Sequence, residues 1–190
     1  MRIGWAMTGS FCTFAQVFEV LEYIHDKYGE VIPIMSENAS SISTRFGAAD
    51  EMVAKMEDIC GRPVINTIAG AEPIGPKKLL DLLIIAPCTG NTLGKLANGI
   101  TDTSVTLAEK AHLRNDRPVL VAVSTHDALS ASGKNIGLLL NRKNYFFVPF
   151  GQDDPINKET SLVADFTAIP ATIEAIMSGK QLQPVLVANN

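Results

Sequence analysis

The chain is poor in the residues from which covalent and metal staples are built. Its three cysteines, Cys12, Cys60 and Cys88, are odd in number and far apart, without a CxxC pair or a histidine at metal-ligand spacing. That excludes a disulfide scaffold and a zinc module, and it predicts a reducing cytoplasm and no metal site. Long hydrophobic runs are also missing. No apolar stretch approaches the roughly 18 residues that span a bilayer, and Met1 to Ala6 reads straight into a strand rather than into a charged and then apolar leader, so no membrane partner is expected. Basic clusters are absent too: 16 Lys and Arg are scattered against 20 Asp and Glu, for a net charge of −4, which argues against nucleic acid. Neither G-x-G-x-x-G nor a Walker sequence occurs, and no repeat or low-complexity tract is present. The dinucleotide fingerprint and the P-loop are thereby excluded.

What remains is an apolar-leaning chain, 46% hydrophobic and 19% charged, whose surface is expected to meet another copy or partner. Its 190 residues suit one domain, taken as 1–178, with 179–190 as a C-terminal tail that is either loosely ordered or docked on a neighbour. Short apolar runs at Ile3 to Met7, Val31 to Met35, Leu82 to Ala86, Val119 to Val123 and Tyr145 to Pro149, with Val64 to Ile68 as a weaker sixth, alternate with helical periodicity. Helices are predicted from Phe14 to Gly29, over Ala48 to Cys60, Thr92 to Ala97, Ser104 to Leu113, Lys134 to Leu140 and Asp165 to Ser178. This alternation predicts an α/β fold, a doubly wound, Rossmann-like parallel sheet with helices on both faces.

Ligands of such sheets bind beyond the carboxyl ends of the strands. The turns there share a hydroxyl-rich character: Thr8-Gly9-Ser10-Phe11-Cys12-Thr13 after the first run, Ser36-Glu37-Asn38 after the second, Pro87-Cys88-Thr89-Gly90-Asn91-Thr92 after Ala86, and Ser124-Thr125-His126-Asp127 after Val123. Two readings stand. Thr8, Ser36, Thr89 and Ser124 are helix N-caps, or together they form a site in which hydroxyls and helix N-termini hold a phosphate.

The segment Ala86-Pro87-Cys88-Thr89-Gly90-Asn91-Thr92-Leu93-Gly94-Lys95-Leu96-Ala97-Asn98-Gly99-Ile100-Thr101-Asp102 resembles the marker segment of the flavoprotein family, which includes the homo-oligomeric flavin-containing cysteine decarboxylases and flavin prenyltransferase. The Thr8-Gly9-Ser10 and Ser36 turns also correspond, so the resemblance covers most of the chain. It implies that these turns hold the phosphate and ring of FMN, in a trimer or a multiple of trimers. The implied cofactor-binding residues are Thr8, Gly9, Ser10, Thr13, Ser36, Pro87, Thr89, Asn91, Thr92, Ser124 and Thr125.

Two departures redirect the expected chemistry. The catalytic histidine of the decarboxylases, about eight residues before Asp81, corresponds to Pro73, which cannot act as a base. The family's Pro-x-Met-Asn turn reads Val123-Ser124-Thr125-His126. The stretches from Ser124 to Ala131, Lys134 to Gly137 and Val148 to Pro155 are similar instead to a branch of two-component sporulation synthases. That resemblance implies a partner component that binds NAD(P), a small cyclic dicarboxylate substrate from the lysine pathway, and action in the mother-cell cytoplasm. A self-sufficient FMN-dependent decarboxylase or prenyltransferase, and a non-catalytic flavin-binding or scaffold protein, are the alternatives.

Among single residues, His126 is the candidate for proton transfer, on a sheet-edge turn beside Asp127, or else a turn residue. Asn91 is the second catalytic candidate, for substrate carboxylate or flavin, or else a helix-start residue. Lys95, Lys134, Arg45 and Arg142 are the available cations, with Lys134 preferred. Cys88 is read as packing. Asp102 and the 151–155 loop are read as site rim or intermolecular contact.

Overall fold

The computed structural model describes residues 1–188. In chain order these form β1 (Arg2–Met7), α1 (Phe14–Tyr28), β2 (Glu30–Met35), α2 (Glu37–Ser41), α3 (Ala49–Cys60), α4 (Ile68–Ala71), β3 (Leu82–Cys88), α5 (Gly90–Asn98), α6 (Ser104–Leu113), β4 (Val119–Thr125), α7 (Gly133–Leu140), β5 (Tyr145–Phe147), β6 (Phe150–Gly151), β7 (Leu162–Ala164) and α8 (Ile169–Met177). Five strands pair in parallel in the order β2-β1-β3-β4-β5. Strands buried on both faces read as continuous apolar runs, and all seven residues of β3 are buried.

The sheet is mixed rather than wholly parallel. Val119 to Val121 of β4 pair with β5, whereas Ser124 and Thr125 at its far end pair antiparallel with β7, which pairs in turn with β6. The expected strand from Tyr145 to Pro149 therefore stops at Phe147 and resumes at Phe150 with a new neighbour. The weaker sixth strand, Val64 to Ile68, does not form. Ile65 makes one bridge to Ile34, after which the Thr67 hydroxyl accepts from the Gly70 N–H and opens α4.

Helices cover both faces. α1 packs on α3 and on the turn that leads into α8, while α4, α6, α5 and α7 contact one another in series. The C-terminal tail docks on its own chain: the Gln181 side chain bonds both backbone groups of Phe147, and Phe150 exchanges backbone hydrogen bonds with Val185 and Val187. Asn189 and Asn190 lie outside the described residues.

In the order 2-1-3-4-5, the chain runs from β1 to β2 on one side and from β3 to β4 on the other, so connections leave β1 and β3 in opposite directions. The crevice beyond their carboxyl ends is the topological switch point, where doubly wound sheets take their ligands.

Candidate functional site

Thr8 joins the two strands that flank the switch point. Its hydroxyl donates to the Pro87 carbonyl at 2.8 Å and accepts the Thr89 N–H at 3.0 Å. Thr89 then caps α5, its hydroxyl accepting the Thr92 N–H at 3.3 Å. Ser36 caps α2 through the Ala39 N–H. Ser124 caps nothing; its hydroxyl lies 2.7 Å from that of Ser10 and ties the end of β4 to the first turn. Of the four hydroxyls, two are caps and two are crosslinks between turns, and all four lie on one rim.

The first turn divides the rim into two adjoining pockets that share Gly9, Phe11 and Thr89. The first, about 460 Å³, lies over β1, β2 and β3; Thr8, Ser36, Glu37, Asn91, Thr92 and Lys95 are among its lining residues. The second, about 370 Å³, lies toward β4 and the β6–β7 connection and takes in Ser10, Thr13, Ser124, Thr125 and His126. Ten of the eleven expected cofactor-binding residues line one or the other. Pro87 lines neither: it is buried within β3 and contributes its carbonyl to Thr8.

The two catalytic candidates are not brought together. Asn91 is exposed in the first turn of α5 and lines the first pocket, whereas His126 lines the second. The His126 carbonyl accepts the Thr160 hydroxyl at 2.6 Å, which pins this turn to the β6–β7 connection.

Each pocket has a lysine held by an aspartate. In the first, Lys95 lies 2.8 Å from Asp102, and this hydrogen bond holds the Asp102 carboxyl below its ordinary range. In the second, Lys158 lies 2.9 Å from Asp153; partial burial pushes Asp153 up, but the Ser161 hydroxyl and Lys158 pull it down further, and the net shift is downward. The favoured cation, Lys134, instead lines an open depression between α5 and α7. Arg142 donates to the Leu96 and Ala97 carbonyls and closes the C-terminus of α5. Arg45 stacks over Phe46. The Cys88 thiol is fully buried and pushed upward by desolvation, in keeping with packing.

The sequence does not single out Lys158 or Ser161, and it places Glu37 and Gly90 in the ligand turns and Asp153 in the rim loop without giving them a role. Lys158 stands in a stretch with no periodicity, so nothing local marks it. Gly90 is more telling. A Cβ there would fall 2.6 Å from Asp127 Oδ1 and Ser132 Oγ and 2.7 Å from Thr125 Oγ1, three atoms already hydrogen-bonded together. Only glycine lets α5 begin against this cluster.

The donor set suits an elongated anionic ligand. The first N–H groups of α5 have no intrahelical partners, the helix dipole favours negative charge there, hydroxyls surround the opening, Lys95 adds a cation, and Phe11 and Ile42 give apolar wall. A phosphorylated cofactor with a planar ring fits this chemistry.

The family profile described as Flavoprotein matches residues 1–178. The chain is 48% identical over 99% of its length to the B component of dipicolinate synthase from Bacillus subtilis (strain 168), covering 94% of that protein. Its fold is similar to the crystal structure of the dipicolinate synthase B component from Bacillus halodurans C, with a TM-score of 0.89, 42% identity, and coverage of 100% of this chain and 97% of that one. It also matches the FMN-dependent cysteine decarboxylase SpaF with a TM-score of 0.69 over 94% of this chain and 96% of that one, at 20% identity.

Proposed function

The chain belongs to the flavoprotein family, and we propose that within it this protein is the B component of a dipicolinate synthase, active with a separate A component. One observation carries the reading: the 48% identity extends over 99% of the chain, through both pockets and the β6–β7 connection. In the proposed reaction 4-hydroxy-tetrahydrodipicolinate loses one water and two hydrogens and becomes an aromatic pyridine. The electron pair and one proton pass to NAD(P) held by the A component, and the second proton is released.

The first pocket is the proposed site of FMN. Thr8, Gly9, Ser36 and the N-terminus of α5, with Thr89, Asn91 and Thr92, would hold its phosphate and ring. Bound there, flavin supplies a two-electron redox centre. The chain's own residues orient the ligand, and His126 stands at the adjoining pocket as a proton carrier. Decarboxylation by the family route lacks its base, because Pro73, in the 3-10 turn from Glu72 to Ile74, stands where the resemblance places the catalytic histidine. A homo-oligomer, trimeric or a multiple of trimers, in the cytoplasm of the sporulating mother cell completes the reading; exposed Ile100, Leu138 and Leu140 offer it apolar surface.

The test is reconstitution. The purified chain mixed with the A component, 4-hydroxy-tetrahydrodipicolinate and NAD(P) is expected to form dipicolinate, with neither component active alone. No product with a competent A component would overturn the proposal. Flavin absorbance of the purified chain, or after incubation with FMN, tests the cofactor separately.

A further inference from the structure

The second pocket differs from the first in what forms its outer wall. Here the wall is the connection from β6 to β7, residues 152–161, and this segment is braced from within. The Lys158 N–H donates to the Asp154 carbonyl at 2.8 Å, and the Lys158 carbonyl accepts the Ser161 N–H at 3.0 Å. The Gln152 side chain donates to the Glu159 carbonyl at 2.7 Å. Thr160 binds the turn at His126 with its hydroxyl, and its carbonyl accepts the Leu129 N–H at 2.9 Å. The backbone of Lys158 is thus fixed on both sides.

Its side chain is oriented as well. The Lys158 ammonium donates to Asp153 Oδ2 at 2.9 Å, and an ammonium has three protons to donate. Asp153 uses one and leaves two, and Lys158 lines the pocket. The same pocket is lined by the Ser10–Ser124 hydroxyl pair, Thr125 and His126, while Phe11, Phe46 and Val163 supply apolar wall. A volume of about 370 Å³ falls at the small end of the roughly 300 to 1,000 Å³ usual for small-molecule sites. A cation, hydroxyls and an apolar wall in so small a space suit a compact carboxylic acid.

We propose that the second pocket is a carboxylate site, in which Lys158 binds one carboxylate of a small cyclic dicarboxylate and Asp153 is the positioning residue that aims the ammonium. Resting on the proposed function, this assigns the acid to the pocket on the β4 side of the first turn and the phosphorylated cofactor to the other side. The two ligands meet across Gly9, Phe11 and Thr89.

Cys12 supplies a probe, because it is the exposed cysteine and lines this pocket, whereas Cys60 and Cys88 are buried. Pyridine-2,6-dicarboxylate is titrated against maleimide labelling of Cys12 in the full-length chain, with binding measured in parallel by calorimetry and flavin uptake by absorbance. The expected result is saturable protection that sulfate does not reproduce. In Lys158→Met its midpoint is expected to rise about tenfold or more, as for loss of a charged hydrogen bond, with flavin uptake unchanged; Lys158→Arg should restore most of the affinity. Asp153→Asn should weaken protection in the native background and have no further effect in Lys158→Met. Absence of binding by both methods, equal protection by sulfate, or equal midpoints with and without Lys158 would overturn the assignment. Protection that depends on Lys158 in a protein that forms no dipicolinate with the A component would sink the proposed function and leave this site standing.

Discussion

The Thr8 hydroxyl accepts the backbone N–H of Thr89 at 3.0 Å and so fixes the start of α5 against the end of β1. Thr8 is 1% exposed, and water cannot easily replace this bond. Thr8→Val keeps the shape and leaves the Thr89 N–H unpaired, at an expected cost of about 1 to 3 kcal/mol. Urea denaturation should report that loss, and flavin affinity should fall with it because Thr89 belongs to both pockets. Thr8→Ser should recover most of each.

Gly90 and Gly137 make opposite predictions for the same substitution. Alanine at Gly137, an exposed position inside α7 with nothing within 4 Å of the added carbon, should stabilise by about 0.5 to 1 kcal/mol through helix propensity. Alanine at Gly90 meets Asp127, Ser132 and Thr125, short side chains locked in mutual hydrogen bonds, and should destabilise by about 1 to 3 kcal/mol. Paired thermal melts decide the matter; a stabilising Gly90→Ala would show that the cluster yields freely.

Two groups on α6 set opposing responses to pH. Burial pushes the Glu109 carboxyl up to about 7 from 4.5, although the Tyr145 hydroxyl bonded to it pulls the other way. Burial pushes His112 down to about 4 from 6.5, while its Nε2 donates to the Pro118 carbonyl at 2.8 Å and partly offsets the shift. Glu109 therefore contributes stability that is present below pH 4.5 and lost as pH rises through 7. His112 contributes stability that is present above pH 6.5 and lost as pH falls through 4. The native protein should be nearly level between these limits. Glu109→Gln should lose roughly 2 kcal/mol more than the native protein between pH 6.5 and 4.5, and His112→Gln should show the reverse slope. Urea midpoints at four pH values measure both.

Because Asn91 and His126 line different pockets, their substitutions should separate. Asn91→Ala is expected to weaken flavin uptake. His126→Gln should leave uptake intact and slow dipicolinate formation in the reconstituted pair by about a hundredfold or more, the usual scale for a lost general acid or base. Full activity from both variants would make this chain a scaffold for the A component.

The parallel sheet was legible because its strands are buried on both faces and leave unbroken apolar runs; Leu82 to Ala86 is the clearest. α6 matches the helix expected over Ser104 to Leu113, and Thr103 and Thr106 form a capping box at its start. Val64 to Ile68 has the composition of a strand, but Thr67 caps a helix before pairing can extend beyond Ile65. β6 and β7 have two and three residues, too few to carry a period, and their place depends on a β4 that changes partners. The hydroxyl turns could be assigned to one rim from their positions after strands. That the first turn rises between two pockets, separating Asn91 from His126 and putting Lys158 with the latter, depends on the path of the chain in space.

β4 is held over its first three residues by a parallel neighbour and at its tip by a short antiparallel hairpin. One strand therefore belongs to two units of unequal strength. The long parallel ladders form the region that opens only with the whole molecule, whereas a hairpin of two- and three-residue strands opens locally at far lower free energy. Amides of β6 and β7 should accordingly exchange with solvent much sooner than those of β1 and β3. The second pocket thus rests on the parallel sheet on one side and on this less protected hairpin on the other.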